Sequence, residues 1–200
     1  MFVRESAAPV AITALAAIAL TVGGARAFYR REGTKSTEEM EALLRAIDGT
    51  LRSGRDVQVL SIDALPPTSE LAREARRTFL GAGGRADVFG GTLPPVDLVV
   101  DALFGIGLTR APDERTSALI DAINAHDADV FSLDVPSGID ADRGSAPGHA
   151  VHATHTLEFM GCKAGLRTGS ALDRTGSLGL ATLEIEPFRA DIVPVATLID

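Results

Sequence analysis

The sequence has no tryptophan, and aromatic residues make up only 4% of it. Proteins that grip single-stranded nucleic acid stack bases on aromatic side chains along a basic groove, so this scarcity argues against that role. An excess of positive charge is missing too. Acidic residues number 27 against 19 basic ones, which leaves a formal net charge of −8. Nucleic-acid-binding domains carry clustered Lys and Arg instead. An acidic chain can still hold an anionic ligand, because loop amides and helix N-termini supply local positive potential. Cys162 is the single cysteine, so no intrachain disulfide can form; this fits a reducing compartment. No apolar stretch reaches the roughly 20 residues that a membrane-spanning helix needs.

The remaining composition is that of an ordinary globular protein, with 46% hydrophobic and 23% charged residues in a chain of 200. That length suits one large domain or two smaller ones. The N-terminus is its ambiguous part. Residues 7–22 are uncharged and rich in Ala, Ile, Leu and Val, and Gly23, Gly24, Arg26, Arg30 and Arg31 follow. Three readings stand open. The stretch is a buried Ala-rich helix lying on a sheet, or a membrane anchor over 7–24 whose trailing arginines keep the rest in the cytoplasm. As a third reading it is a secretory leader with a small-residue site at Ala25-Arg26-Ala27, although its leading region offers only Arg4, offset by Glu5. The working expectation is a cytoplasmic chain with a helical segment over 1–52 and an α/β domain over 53–200.

From residue 30 to 36 the chain is polar and reads as a loop. Thr37 is placed to cap a helix over 37–52, with Met40, Leu43, Leu44 and Ile47 at helical spacing. Residues 57–62 alternate like a strand. Pro66, Pro67 and Thr68 open a helix over 69–80, which Gly81, Gly83 and Gly84 close. Short strands are expected at 87–89, 98–100, 130–135, 154–159 and 178–185. A helix starts at Asp113 or Thr116 and carries Leu119, Ile120 and Ile123 on one face. This alternation predicts an α/β fold with a largely parallel sheet and helices on both faces.

Two of the strands run into an aspartate, Asp101 and Asp134, with one helix between them. A β-helix-β crossover is right-handed in about 98% of cases and returns the chain parallel. Both aspartates therefore emerge at the carboxyl edge of the sheet, where open α/β sheets bind ligands. Gly105 and Gly107 follow the first aspartate and permit positive φ or close approach of a ligand. The N-terminus of the next helix is a place for a phosphate. Pro136, Ser137 and Gly138 follow the second aspartate, and oxygen donors from both loops suit a hard cation. Each aspartate has a plainer role open to it, the capping of its own turn. Asp140 and Asp142 read as solvated loop carboxylates.

The residues 97–108, DLVVDALFGIGL, resemble the motif DLIVDALFGTGL of the NAD(P)H-hydrate epimerases, the YjeF N-terminal domain group. Residues 133–144, LDVPSGIDADRG, resemble that family's LDIPSGLDADTG. Residues 156–166, with Lys163 and Gly165, are similar to its TFGAPKPGL stretch. The resemblance runs from about residue 57 to about 187. It implies a Rossmann-like three-layer α/β/α sandwich, often dimeric. It also implies interconversion of the R and S forms of NADHX and NADPHX, the hydrated reduced nicotinamide cofactors. A separate ADP- or ATP-dependent dehydratase then repairs the S form. A potassium ion is implied as well, with Asp101 and Ser137 as its ligands. The loop Gly105, Ile106, Gly107, Leu108, Thr109, Arg110 and Ala111 would contact the hydrated dinucleotide. Asp134 would lie near the reacting ring as acid/base, and Lys163 is a candidate for substrate contact. A carboxylate suits such a reaction, because loss and return of a hydroxyl require proton transfer in both directions. As a bare sequence feature, Lys163 is equally readable as a solvated surface lysine.

One family feature is missing. The glycine-rich loop GNNGGDG, which would cradle phosphates and add an Asn to the cation, is not found. The region taken as its equivalent, 31–39, reads REGTKSTEE with a single glycine. Two further readings therefore stand beside the enzyme: a non-catalytic binding or scaffold protein that kept the fold, and a membrane-tethered form of either.

Overall fold

The computed structural model describes residues 10–13, 57–62, 70–108 and 110–181. The strands among them are β1 (Val10–Thr13), β2 (Val57–Ser61), β3 (Arg85–Val88), β4 (Leu98–Asp101), β5 (Asp129–Leu133), β6 (His155–Phe159) and β7 (Ser177–Ala181). Two α-helices connect some of them, α1 (Glu70–Gly81) between β2 and β3, and α2 (Glu114–Asn124) between β4 and β5. The strands form one sheet in the order β3-β2-β1-β4-β5-β6-β7, and every neighbouring pair is parallel.

That order has a direct consequence. From β1 the chain builds outward to β2 and β3 on one side, then returns to β4 and builds to β7 on the other. Right-handed crossovers then carry α1 and α2 to opposite faces. The result is a Rossmann-like α/β fold whose topological switch point lies between β1 and β4. Loops leave a switch point in opposite directions and open a crevice at the carboxyl ends of the strands.

The core follows from the sequence pattern. Val57, Val59, Val99 and Val130 are buried in the strands, and Leu119, Ile120 and Ile123 of α2 pack against the same cluster. Those three residues form one helical stripe, the face that an amphipathic helix turns to a sheet. A second, smaller cluster of Val135, Ile139, Ala141, Ala150, Leu166 and Ala171 lies beneath the loops after β5 and β6. The loops that carry the motifs thus have a core of their own.

Several boundaries differ from the sequence expectations, each for a physical reason. β5 stops at Leu133 rather than running to 135, because Asp134 takes φ 70° and turns the chain out of the extended region. β3 starts at Arg85, two residues early. It is an edge strand with mostly exposed side chains, so no hydrophobic alternation marks it. The helix expected over 37–52 and the end of the strand expected over 178–185 lie outside the described residues.

The largest difference is at the N-terminus. Residues 10–13, read as part of a helix, anchor or leader, form β1 in the middle of the sheet. Val10 pairs with Val57, Ile12 with Val59 and Val100, and Thr13 with Asp101. Val, Ile and Thr are good strand formers, but a four-residue strand flanked by alanines shows no period for a reader to find. The remainder of 7–24 lies outside the described residues. Among the described residues no helix is long and apolar enough to cross a membrane.

The start of α2 corrects another expectation. Asp113 is its N-cap, and its side chain accepts the Thr116 amide at 2.9 Å. Glu114 adds a second negative charge in the first turn. An N-terminus already served by a carboxylate is a poor place for a phosphate. Hydrogen bonds from Thr116 hold the Asp113 carboxyl below the ordinary carboxylate range. Asp113→Ala should therefore cost about 1 kcal/mol near neutral pH, read from urea unfolding midpoints. A depressed folded-state pKa gives stability that is present above the unfolded pKa and lost as pH falls through the folded one. The gap between wild type and variant should accordingly close in acid.

Candidate active site

β4 and β5 deliver two carboxylates to one edge of the sheet, and each sits in a different environment. Asp101 ends β4 and is completely buried. Its Oδ2 accepts the Ser132 hydroxyl at 2.8 Å and the Ser137 amide at 2.8 Å. Its Oδ1 accepts the Ser137 hydroxyl at 2.6 Å and the Leu103 amide at 3.3 Å. An ionised carboxylate has about four lone-pair positions, and here four donors meet them. All four donors are neutral, and among the described residues no cationic side chain touches it. Burial pushes the Asp101 carboxyl above the ordinary range, against the opposite pull of those hydrogen bonds.

Ser137 joins the two motif loops. It donates its hydroxyl to Asp101 and accepts the Phe104 amide at 2.9 Å. The turn that brings it there needs Gly138, whose φ is +100° and where a Cβ would lie 2.3 Å from the His149 carbonyl oxygen. The plainer role considered for Asp101 is therefore the one seen, together with a tie between loops that the sequence did not suggest. It caps its own turn through Leu103, and it also forms the meeting point of the loops after β4 and β5.

Asp134 lies just beyond β5 and is largely buried. Its positive φ is uncommon for a residue other than glycine, and such conformations concentrate at functional sites. Its Oδ1 accepts the Phe159 amide at 3.1 Å and is also paired with the Lys163 ammonium. Among the described residues no donor meets its other oxygen, Oδ2. Lys163 is therefore not a solvated surface lysine. Its side chain is only 14% exposed, and Nζ also donates to the Phe159 carbonyl at 2.7 Å.

Behind Lys163 lies a pair that sequence reasoning missed. Glu158 on β6 is fully buried. Its carboxylate accepts both arms of the Arg167 guanidinium, at 3.0 and 2.7 Å, and the Lys163 amide at 2.5 Å. Ser132 was missed as well. The sequence holds one usable signal: Lys35 and Lys163 are its only lysines among 19 basic residues. Arg and Lys are not interchangeable, since a lysine offers a compact amine in place of a planar fork.

The remaining expected residues are less tightly held. In the loop after β4, Ile106, Gly107, Arg110 and Ala111 are exposed, Gly105 and Leu108 are half-buried, and Thr109 lies outside the described residues. Neither Gly105 nor Gly107 takes a positive φ, so the expected conformational reason for these glycines does not hold. A Cβ on Gly107 would meet nothing within 4 Å, which leaves room for a ligand at the backbone. Asp140 is a turn cap. It accepts the amides of Asp142 and Arg143 at 2.9 and 3.0 Å, and the Arg143 amide foremost lowers its pKa. Asp142 is exposed.

The missing phosphate loop can be placed anew. β1 ends at Thr13, level with Asp101, so strand order alone would have the family's loop sought in the sequence from position 14 onward rather than at Arg31. Residues 14–22 read ALAAIALTV and contain no glycine, asparagine or aspartate.

The parallel sheet with its switch point between β1 and β4 defines a Rossmann-like α/β protein. The chain belongs to the family described as YjeF-related protein N-terminus, which matches residues 44–165. It is 41% identical over 138 residues to the bifunctional NAD(P)H-hydrate repair enzyme Nnr of Escherichia coli K12, covering 68% of this chain and 27% of that protein. It is 40% identical over 147 residues to the NAD(P)H-hydrate epimerase of Achromobacter xylosoxidans, covering 71% of this chain and 69% of the relative. The chain thus spans about a quarter of the bifunctional relative's length. The crystal structure of the yeast protein YNL200c superposes with a TM-score of 0.53 at 16% identity, over 83% of this chain and 75% of that one; this likeness concerns the fold.

The Asp101 knot makes a direct prediction. Asp101→Asn keeps the shape but turns an NH2 group toward protein donors, so it should cost about 1–3 kcal/mol, the penalty for buried groups left unmatched. Urea unfolding followed by circular dichroism measures this, and an unchanged midpoint would mean that the carboxylate is not needed to tie the loops.

Proposed function

We propose that this chain is an NAD(P)H-hydrate epimerase, an isomerase that interconverts the R and S forms of NADHX and NADPHX. The observation that carries this reading is the Asp134–Lys163 pair at the carboxyl edge of the sheet, in a chain about 40% identical to proteins named for this activity.

Epimerisation at the hydrated ring carbon removes a hydroxyl from one face and returns it to the other. Departure needs a proton donor, because hydroxide is a poor leaving group. Return needs a proton acceptor to activate water. An ion pair of ammonium and carboxylate offers both at once. Lys163 is assigned as the donor and Asp134, through its Oδ2, as the acceptor. The Phe159 amide fixes the other oxygen of Asp134. The loop Gly105 to Ala111 lies beside β4 and is assigned to the dinucleotide.

A potassium ion would find oxygen donors around Asp101, but only by replacing some of the four hydrogen bonds that now fill the carboxylate. The carboxylate is buried without a charged partner among the described residues, the Ser137 hydroxyl lies against it, and the Phe104 carbonyl is 3.5 Å from that hydroxyl. These are hard oxygen donors of the kind that alkali and alkaline-earth cations take. Asp101 and Ser137 would hold the ion, which when bound supplies positive charge beside the buried carboxylate. A separate ADP- or ATP-dependent dehydratase is the assigned partner, since only a second reaction turns the S form back into the reduced cofactor. A homodimer is the assembly proposed.

One observation favours a second reading. The motif GNNGGDG does not occur anywhere in the sequence. A chain that kept the fold and lost that loop would be a binding or scaffold protein.

The two readings separate in one assay. Purified protein is mixed with R-NADHX and an S-specific dehydratase, and recovery of NADH is followed. An epimerase speeds recovery well beyond the spontaneous rate; a scaffold leaves it unchanged. Asp134→Asn should abolish the acceleration, and Lys163→Met should reduce it by about 100-fold or more, the usual worth of a positioned acid or base. Potassium binding is checked apart from activity. The thermal midpoint should rise in potassium chloride relative to choline chloride at equal ionic strength, as for any ligand of the folded state, and Asp101→Asn should remove the difference.

A further inference from the structure

Lys163 follows a strand end and a turn, in a segment that would leave a long side chain free to wander. Its main chain is instead gripped from both sides. Its amide donates to Glu158 Oε1 at 2.5 Å, and its carbonyl accepts Arg167 Nη1 at 3.2 Å. The same Arg167 grasps the Glu158 carboxylate with both arms. Three residues thus close a ring across the turn, from the buried strand position 158 to the short helical turn Ala164–Arg167. The turn itself is tight. Met160 has φ 65°, its amide donates to the Ala181 carbonyl at 2.8 Å, and the Gly161 amide donates to the Phe159 carbonyl at 2.7 Å.

A fully buried carboxylate in a strand is an odd choice for stability alone. Replacing a buried ion pair by apolar residues of similar volume is often neutral or stabilising. The pair contributes geometry. With Glu158 and Arg167 in place, the Lys163 backbone has one position, and its ammonium reaches both Asp134 and the Phe159 carbonyl.

We propose that Glu158 and Arg167 are positioning residues, a buried clamp that holds the Lys163 main chain so that its ammonium is delivered to Asp134. This rests on the reading of Asp134 and Lys163 as the acid/base pair. Glu158 and Arg167 hold the main chain of Lys163 and not its ammonium. Their effect passes through the place and reactivity of one amine.

The scarcity of lysine allows that amine to be read directly. In the full chain, sulfo-NHS-acetate under limiting conditions can acylate Lys163, Lys35 and the N-terminus, and mass spectrometry resolves them. Two variants are compared with wild type, Glu158→Gln and the double replacement Glu158→Met with Arg167→Met. The double variant removes both charges and keeps apolar bulk, so it should fold with a thermal midpoint close to wild type or above it. Acylation of Lys163 relative to Lys35 should rise about tenfold in both variants, as an amine freed from a charge-assisted hydrogen bond becomes available. The kcat for epimerisation should fall about 100-fold, the scale of a misplacement near 1 Å, while KM stays within about twofold. Arg167→Lys, which keeps the charge and loses the fork, should give intermediate values in both measurements.

A double variant that folds yet shows unchanged Lys163 acylation overturns the clamp, as does unchanged kcat with raised acylation. The functional reading fails separately. If Lys163→Met retains full epimerase activity, Lys163 is not the acid, whereas the acylation data still decide whether the pair holds it.

Discussion

The buried Asp101 carboxylate is the constraint on which the rest of this site depends. It sits at the end of β4, where the switch-point crevice opens, and ties three segments together. Ser132 on β5, Ser137 in the loop after β5 and Leu103 in the loop after β4 all donate to it. Without that tie the two loops would keep only the direct bond from the Phe104 amide to the Ser137 hydroxyl. Burying a carboxylate is costly unless it is fully hydrogen-bonded, and Asp101 meets that condition with neutral donors. Burial still pushes its carboxyl above the ordinary range, against the pull of those hydrogen bonds.

From Asp101 the order passes outward. Because Ser137 is fixed, the stretch from Asp134 to Gly138 has little freedom, and Asp134 is held in its left-handed conformation. Its carboxylate then meets the end of β6, where the Phe159 amide and Lys163 close on it. Three adjacent parallel strands, β4, β5 and β6, thus each contribute one layer. The first ends on the loop anchor Asp101, the second leads into Asp134, and the third is followed by Lys163, whose main chain meets Glu158 and Arg167. Parallel pairing sets this register, with Asp101 opposite Ser132 and Leu133 opposite Leu157.

How much of this was legible varied with the physics of each residue. Asp101 and Asp134 stood out because apolar strands that end on an acid, joined by one helix, can only place both acids on the same edge. Ser137 was legible through its motif. Glu158 was not, and the strand itself explains why. In HTLEF the alternation suggests that Leu157 and Phe159 face the core, yet Thr156 and Glu158 are the buried ones. A polar residue that is buried because it is fully partnered looks on paper like an exposed one. Lys163 suffered the same ambiguity. β1 was illegible because a short strand among alanines has no period. At the start of α2 the Asp113 side chain caps the Thr116 amide, and Asp113 was visible in the sequence as a helix start.

The central claim concerns chemistry at the Asp134–Lys163 pair, in which a hydroxyl leaves one face of the ring and water adds to the other. Return to the opposite face draws its oxygen from solvent. The direct measurement is epimerisation of R-NADHX in water enriched in oxygen-18, with the two epimers separated and weighed by mass spectrometry. The account predicts that the S form gains solvent oxygen at the catalysed rate, and that Asp134→Asn loses conversion and incorporation together. Catalysed conversion to an S form that keeps its original oxygen would contradict it.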